Sequence, residues 1–344
     1  WDRPKRRLLL ARDHLGQKPL FWAQVGESLV FASEVKGVLA SGLVGRELDL
    51  DGRIASLTLG PDTAANGNES WSFGYDSLNR LTTAALPQGE TLAYVYDGNG
   101  NRKQETRSGA LTSYGYFAAS NRLQVQTGAT SRSFTYDAMG NLVSNGSVTF
   151  TYDGRGRLTQ TSNGYRYAIN GLGQRVLKSG PGGTTYFVYD EQGRLLGEYD
   201  GAGAVLQELV YLGDTPVASV RPGAGGSVAV FAIYTDHLNT PRVVTNQANQ
   251  IVWEWKLDTF GAGAATENPS GLGVFPFNLR FPGQYHDAET GLHYNYFRDY
   301  DPSVGRYVES DPIGLDAGVN TFAYALNSAV VKHDFFGLDT CGSG

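Results

Sequence analysis

Apolar and polar residues alternate in short runs along most of this chain, and the three-to-four-residue interval of an amphipathic helix is scarce. Phe134-Thr135-Tyr136 shows the pattern: rings fall on one face and a short polar side chain on the other, as in a half-buried strand. Runs rich in Thr, Val and Tyr are broken by Gly, Asn and Asp, which predicts strands joined by tight turns. Near the start, residues 8–11 read as a buried strand running into a turn at residues 12–16. A second strand starts at residues 19–23, and Ser28–Ala32 makes a third, with Gly26 in the turn between. Ser33 can cap a short helix through Leu39, ended by Gly42.

From about residue 70 the alternation acquires a second, longer period of about twenty residues. A strand ends in Tyr-Asp, two variable residues follow, then Gly or Asn, then Asn or Arg with a Leu. Clear copies stand at Tyr75-Asp76, Tyr96-Asp97, Tyr136-Asp137, Tyr152-Asp153 and Tyr189-Asp190, with degenerate ones at Tyr116, Tyr167 and Tyr211. The chemistry of one unit explains its spacing. The aspartate accepts backbone N–H bonds at the first turn position, and a glycine three residues later takes positive φ, closing a hairpin. A single hairpin cannot bury its aromatic face, whereas successive hairpins form a continuous sheet with only two ends. The expected fold is therefore mainly β. Residues 70–300 should form an almost wholly antiparallel sheet whose hairpins pair in sequence order, with the repeat tyrosines packed inward.

Composition agrees, with 45 Gly, 20 Tyr and 16 Phe against a single Met. The formal charge of −6 argues against a nucleic-acid partner, since a phosphate-binding surface needs clustered Lys and Arg. The run Arg3-Pro4-Lys5-Arg6-Arg7 reads as the solvated lead-in to a strand. The sole cysteine, Cys341, precludes an intramolecular disulfide and a multi-cysteine metal site, and reads as an incidental thiol. No stretch has the roughly 20 apolar residues of a membrane span. Asp236 and His237 suit a turn better than a metal site, because no third ligand lies at suitable spacing, and no cofactor is expected. The chain begins at Trp1 and its only Met is Met139, so it is expected to be part of something longer.

The stretch ARDHLGQKPLFWAQVGESLVFASEVKGVLASG carries an ARD-x-x-G-x-x-PL segment followed by SE-x-K. It closely resembles the later strands of the glutaminase domain in class B asparagine synthetases, over about residues 1–48. That family uses an N-terminal cysteine as nucleophile. Trp1 stands there instead, and the segments expected to bind glutamine are missing, so an inactive amidotransferase remnant with no glutaminase activity is expected. A join between unrelated sequences is expected near residues 49–60.

The Tyr-Asp units resemble YD repeats. Tyr234-Thr235-Asp236-His237-Leu238-Asn239-Thr240-Pro241-Arg242 resembles that family's Y-x-DHLG-TPR signature, with Asn239 where Gly is usual. Arg280-Phe281-Pro282-Gly283-Gln284-Tyr285, the run from Asp287 to Asn295, Tyr300-Asp301-Pro302 with Gly305-Arg306, and Asp311-Pro312-Ile313-Gly314-Leu315 then resemble the Rhs repeat-associated core. The resemblance spans residues 59–340. The expected division is a glutaminase-like fragment at residues 1–50, a junction at 51–69, YD repeats at 70–279, the core at 280–340 and a tail at 341–344.

The resemblance implies an antiparallel sheet coiling as part of a cocoon-like shell that holds a variable C-terminal toxin, as in bacterial Rhs effectors and the C components of insecticidal toxin complexes. The implied partners are a toxin segment, absent from this chain, and secretion-system or adaptor proteins. The implied setting is bacterial, secreted or at the cell surface. The competing reading is a cell-surface carbohydrate-binding or adhesion protein, in which exposed rings beside Asp and Asn stack on sugars.

The family's core is an aspartic autoprotease cutting just after a DP-x-G-L sequence. This implies catalytic roles for Asp311 and Asp334 and a cut between Leu338 and Asp339. One carboxyl would keep a proton and polarise the carbonyl while the other activates water. Phe335 replaces the family's Pro, and Ala329 stands where Pro is common. Loss of the fixed φ is expected to shift Asp334 or the scissile bond. The alternative for both aspartates is a purely turn-forming role.

Overall fold

A computed structural model describes residues 21–25, 28–32, 56–59, 69–338 and 341–342. The chain divides into two units, residues 1–73 with 85–89, and residues 74–84 with 90–344. In the smaller unit, Phe21–Val25 and Ser28–Ala32 form the antiparallel hairpin expected from their alternation, with Phe21 opposite Ala32 and Val25 opposite Ser28. Ser56–Leu59 pairs with residues 69–72. The strand expected at residues 8–11, the turn at Gly26 and the helix from Ser33 lie outside the described residues.

The larger unit is built from antiparallel strands that pair in chain order. One set runs from Leu81–Ala85 to Arg132–Ser133, and an 11-stranded sheet runs from Phe150–Tyr152 to Ile251–Glu254. The short hairpin of Thr135–Tyr136 and Leu142–Ser144 lies between them in sequence. The sheet expected to reach residue 300 stops at Glu254. Residues 255–284 contain no strand, because Gly261, Gly263, Gly271 and Gly273 and the prolines 269, 276 and 282 interrupt any ladder. A separate four-stranded sheet follows, made of Tyr285–Asp287, Leu292–Asn295, Arg298–Asp301 and Arg306–Tyr307.

The repeat turn has the expected chemistry. Asp153 Oδ1 accepts from the N–H groups of Arg155 (2.8 Å) and Arg157 (3.0 Å). Gly156 adopts φ +73° and donates its N–H to the Asp153 carbonyl, while Asp153 N–H donates to the Arg157 carbonyl. Pairing slips at Tyr152, which faces Leu158, so each turn ends in a bulge. Asp76, Asp97 and Asp190 make the same pair of bonds. So does Asn170, which places the degenerate copy at Ile169-Asn170 instead of Tyr167. Asp200, Asn246 and Asp258 build turns of this kind that the sequence pattern did not single out. Asp236 also holds a turn, with Asn239 at φ +67° in the glycine position, and His237 Nε2 lies 2.8 Å from the Val330 carbonyl.

Repeat tyrosines pack inward and tie successive units together. Tyr116 Oη donates to the Arg102 carbonyl (2.8 Å) and Tyr189 Oη to the Arg175 carbonyl (3.1 Å). The leucines after the turns, Leu123, Leu142 and Leu158, share a buried cluster with Leu292, Val304 and Val308 of the four-stranded region. Each such side chain contributes about 2 kcal/mol of burial. One face of the repeat sheet is thus filled by the C-terminal segment.

Candidate functional site

The four-stranded sheet presents Arg298 at the start of its third strand, reached through the Tyr296-Phe297 turn in which Asn295 faces Arg298. Arg298 Nη2 lies 2.7 Å from Asp311 Oδ2 and 3.1 Å from Asp334 Oδ2. The two aspartates singled out from sequence, 23 positions apart in the chain, therefore meet on one nitrogen. All three side chains are buried, at 3%, 5% and 2% exposure for Arg298, Asp311 and Asp334. Carboxyl groups removed from water need such a partner, and the guanidinium supplies one to both. The Arg298 guanidinium also lies 3.6 Å from the centre of the Tyr307 ring.

The remaining donors fix the geometry. Asp311 Oδ1 accepts from Ile313 N–H (3.0 Å), so Asp311-Pro312-Ile313-Gly314 is a turn as well as a carboxylate mount. Tyr307 Oη donates to Asp334 Oδ2 at 2.8 Å. Burial, and next the Asp334 charge, push the Tyr307 hydroxyl well above its ordinary range, so it remains a donor. Asp334 Oδ1 accepts from the Leu338 N–H at 3.0 Å.

The segment from Asp334 to Leu338 is held along its length. Asn295 Nδ2 donates to the Asp334 carbonyl (2.9 Å), Phe297 N–H to the Phe336 carbonyl (3.1 Å) and Arg298 Nε to the Gly337 carbonyl (2.6 Å). A Cβ at Gly283 would stand 1.9 Å from the Phe335 carbonyl oxygen, and one at Gly337 2.5 Å from that of Asn295. Glycine is required at both points for the segment to pass. Sequence reasoning named Asp311, Asp334 and Leu338 but missed Arg298, Asn295 and Tyr307. Arg298 directly precedes Asp299-Tyr300-Asp301, and an arginine beside buried-strand residues was the signal available.

Strand alternation turns Asp299 away from Arg298, and there it forms a second acidic pair. Glu309 Oε2 accepts from the Asp299 N–H at 2.7 Å, and both residues are buried. Burial pushes the Asp299 carboxyl up to about 7, with Arg175 opposing and Asp287 adding to the rise. Burial, and then Asp299, push Glu309 well above its usual range.

The site is anchored to the repeats. Arg157 Nη1 donates to the Tyr296 carbonyl (2.7 Å) and its guanidinium lies 4.1 Å from the Phe297 ring centre. Arg175 and Lys178 hold the Asp287 carboxyl below its usual range against the cost of burial, at 2.5 and 3.0 Å.

A family profile described as Teneurin YD-shell matches residues 69–213 and 227–327, and one described as a glutamine amidotransferase domain matches residues 1–67. Curated relatives include double-stranded DNA deaminase toxin A of Burkholderia cenocepacia, 32% identical over 77% of this chain and 21% of its own. Toxin protein Tse5 of Pseudomonas aeruginosa is 29% identical over 79% of this chain and 27% of its own. This chain thus spans 21% and 27% of those relatives' lengths. A crystal structure of TcdB2-TccC3-TEV matches with TM-score 0.56 at 16% identity, over 83% of this chain and 18% of that one. A Photorhabdus luminescens Tc holotoxin pore matches with TM-score 0.57 at 16% identity, over 86% and 18%. These two likenesses carry the fold.

Proposed function

Since this chain belongs to the YD-shell family, we propose that it forms the closing part of a β-shell around a C-terminal toxin polypeptide, and that its last turn cuts itself after Leu338. The observation that carries this reading is the convergence of Asp311 and Asp334 on Arg298 beside the Gly337-Leu338 backbone. The names of the bacterial relatives as toxins support the cargo. Residues of the repeat sheet and the four-stranded region form one packed wall, and a wall with few open edges suits containment.

In the proposed cut, one carboxyl donates a proton toward the Leu338 carbonyl oxygen while the other takes a proton from the attacking water. The water oxygen bonds the Leu338 carbonyl carbon, the Leu338–Asp339 C–N bond breaks, and the leaving nitrogen takes the proton that the second carboxylate removed from water. Arg298 is the positioning residue, since it touches both carboxylates and the Gly337 carbonyl. Downstream of the bond, Cys341–Gly342 pairs with Lys332–His333, so the pieces would stay associated until denatured.

The test is to express the chain with a C-terminal extension and measure intact mass under denaturing conditions. Two fragments with a boundary after Leu338 are expected, and Asp311→Asn and Asp334→Asn should each leave the product whole with unchanged circular dichroism. An uncut wild-type product would reduce both aspartates to turn formers and arginine partners.

A further inference from the structure

We infer that the outer face of the strands between Gly183–Tyr189 and Val228–Thr235 is a docking surface for a second copy of this chain. Strand pairing puts Val188, Gly197, Glu208, Val220 and Val230 in one row across five neighbouring strands. A parallel row holds Val210, Ala218 and Ala232. Tyr186, Leu206 and Tyr234 extend the same face, at 42%, 43% and 48% exposure. The opposite face of these strands is already covered: Leu209 and Ile233 are buried, and Phe231 packs on Phe275 with ring centres 4.7 Å apart.

The sequences make the same point. Val205–Leu212 reads VLQELVYL and Val228–Thr235 reads VAVFAIYT, near-continuous apolar runs of the kind found in strands covered on both sides. A sheet with one wet face alternates instead. The outer residues therefore form a contiguous apolar patch that a lone soluble surface rarely carries.

The chemistry of the patch selects the occupant. Glu208 is the one carboxylate in these rows, and it is occupied by the Tyr199 hydroxyl at 2.9 Å. A glycan would bring many hydroxyls to a face whose rows are mainly aliphatic, and an anionic membrane would call for Lys or Arg at its rim. A chain of net charge −6 meets its own copy with least repulsion where charges are few, and these rows carry Glu208 alone. The size also fits. A patch five strands wide and about seven residues long covers about 550 Å² in plan at ~4.8 Å per strand and ~3.3 Å per residue. Two such faces approach the ~1,200 Å² at which stable interfaces begin. Sheets stack face to face about 10 Å apart, and a two-fold axis makes the contact self-complementary.

Sedimentation or light scattering of the full chain from about 1 to about 100 µM tests this, with a doubling of mass expected within that range. Val210→Glu with Val230→Glu, at positions 45% and 40% exposed, should hold the mass at one copy throughout with unchanged circular dichroism. Leu206→Lys should do the same if that double variant fails to fold. A wild type that stays at one copy, or a doubled mass that survives these changes, overturns the inference. Binding to phosphatidylcholine vesicles or to a glucose polymer that Val210→Glu abolishes would overturn it in favour of a lipid or a glycan.

Discussion

Replacing Gly173 by alanine separates what a repeat turn costs from what docking on that turn adds. Gly173 has φ +84°, and a Cβ there would stand 2.7 Å from Arg157 Nη2 and 3.0 Å from the Phe297 ring. Gly203 occupies the same place in its own turn, with φ +82° and nothing within 4 Å of a Cβ. Both substitutions force an L-residue into the left-handed region, which costs about 1–2 kcal/mol. Gly173→Ala also pushes Phe297 from its seat, and Arg157 cannot yield freely because its Nη1 is bonded to the Tyr296 carbonyl. Overpacking of that kind adds about 1–3 kcal/mol. Gly203→Ala should therefore lose about 1–2 kcal/mol and Gly173→Ala about 2–5. Urea unfolding followed by intrinsic fluorescence reads the difference as a larger drop in midpoint for Gly173→Ala at similar slope. Equal losses would refute the claim that the Tyr296-Phe297 turn bears on the repeat glycines.

Asp153→Ala removes the acceptor of two backbone N–H bonds and should cost about 1–3 kcal/mol in the same assay, whereas Asp153→Asn should stay near wild type because Asn170 and Asn246 already hold such turns. The raised carboxyl of Asp299 gives a pH signature. Between its unfolded value of about 4 and its folded value of about 7 the folded state binds the extra proton, so this group's contribution to stability is full below that window and is lost as pH rises through it. His286, pushed down to about 4 chiefly by burial, works in the opposite sense, so the readout is the difference between wild type and Asp299→Asn from pH 5 to 8. Wild type should lose stability relative to the variant with rising pH, and parallel curves would contradict the burial of a charged Asp299.

The repeat was legible because its information is local. An aspartate, a left-handed residue three places on and a leucine beyond specify a turn without reference to distant parts of the chain, so strand order and antiparallel pairing followed. The limits were equally local: Asp200, Asn246 and Asp258 build the same turn inside weaker patterns, and Ile169-Asn170 does so without a tyrosine. Asp311 and Asp334 were singled out because the resemblance to the Rhs repeat-associated core implies them, and both contact Arg298. Arg298 itself was not singled out, since its role depends on a hairpin that carries it between two loops remote in sequence. The end of the large sheet at Glu254 was missed because the aromatic residues after it, Phe275 and Phe277 among them, fill the core without joining a ladder.

Phe335 shows how a long-range contact replaces a local restraint. Proline at that position would narrow the unfolded chain and contribute about 0.4–1 kcal/mol. Its absence was expected to displace Asp334. The segment is held by the Asn295 and Arg298 side chains and by the Phe297 N–H, and a bond involving a charged group contributes about 1.5–3 kcal/mol. Phe336 adds an edge-on ring contact with Tyr296 at 5.1 Å, and Phe335 packs on Phe336 at 4.9 Å. Those anchors all belong to the hairpin of residues 292–301, whose tip is seated on the repeat turns through Arg157. Asp334 is therefore held by that hairpin together with Tyr307, and Phe335 packs beside Tyr296 with ring centres 6.1 Å apart.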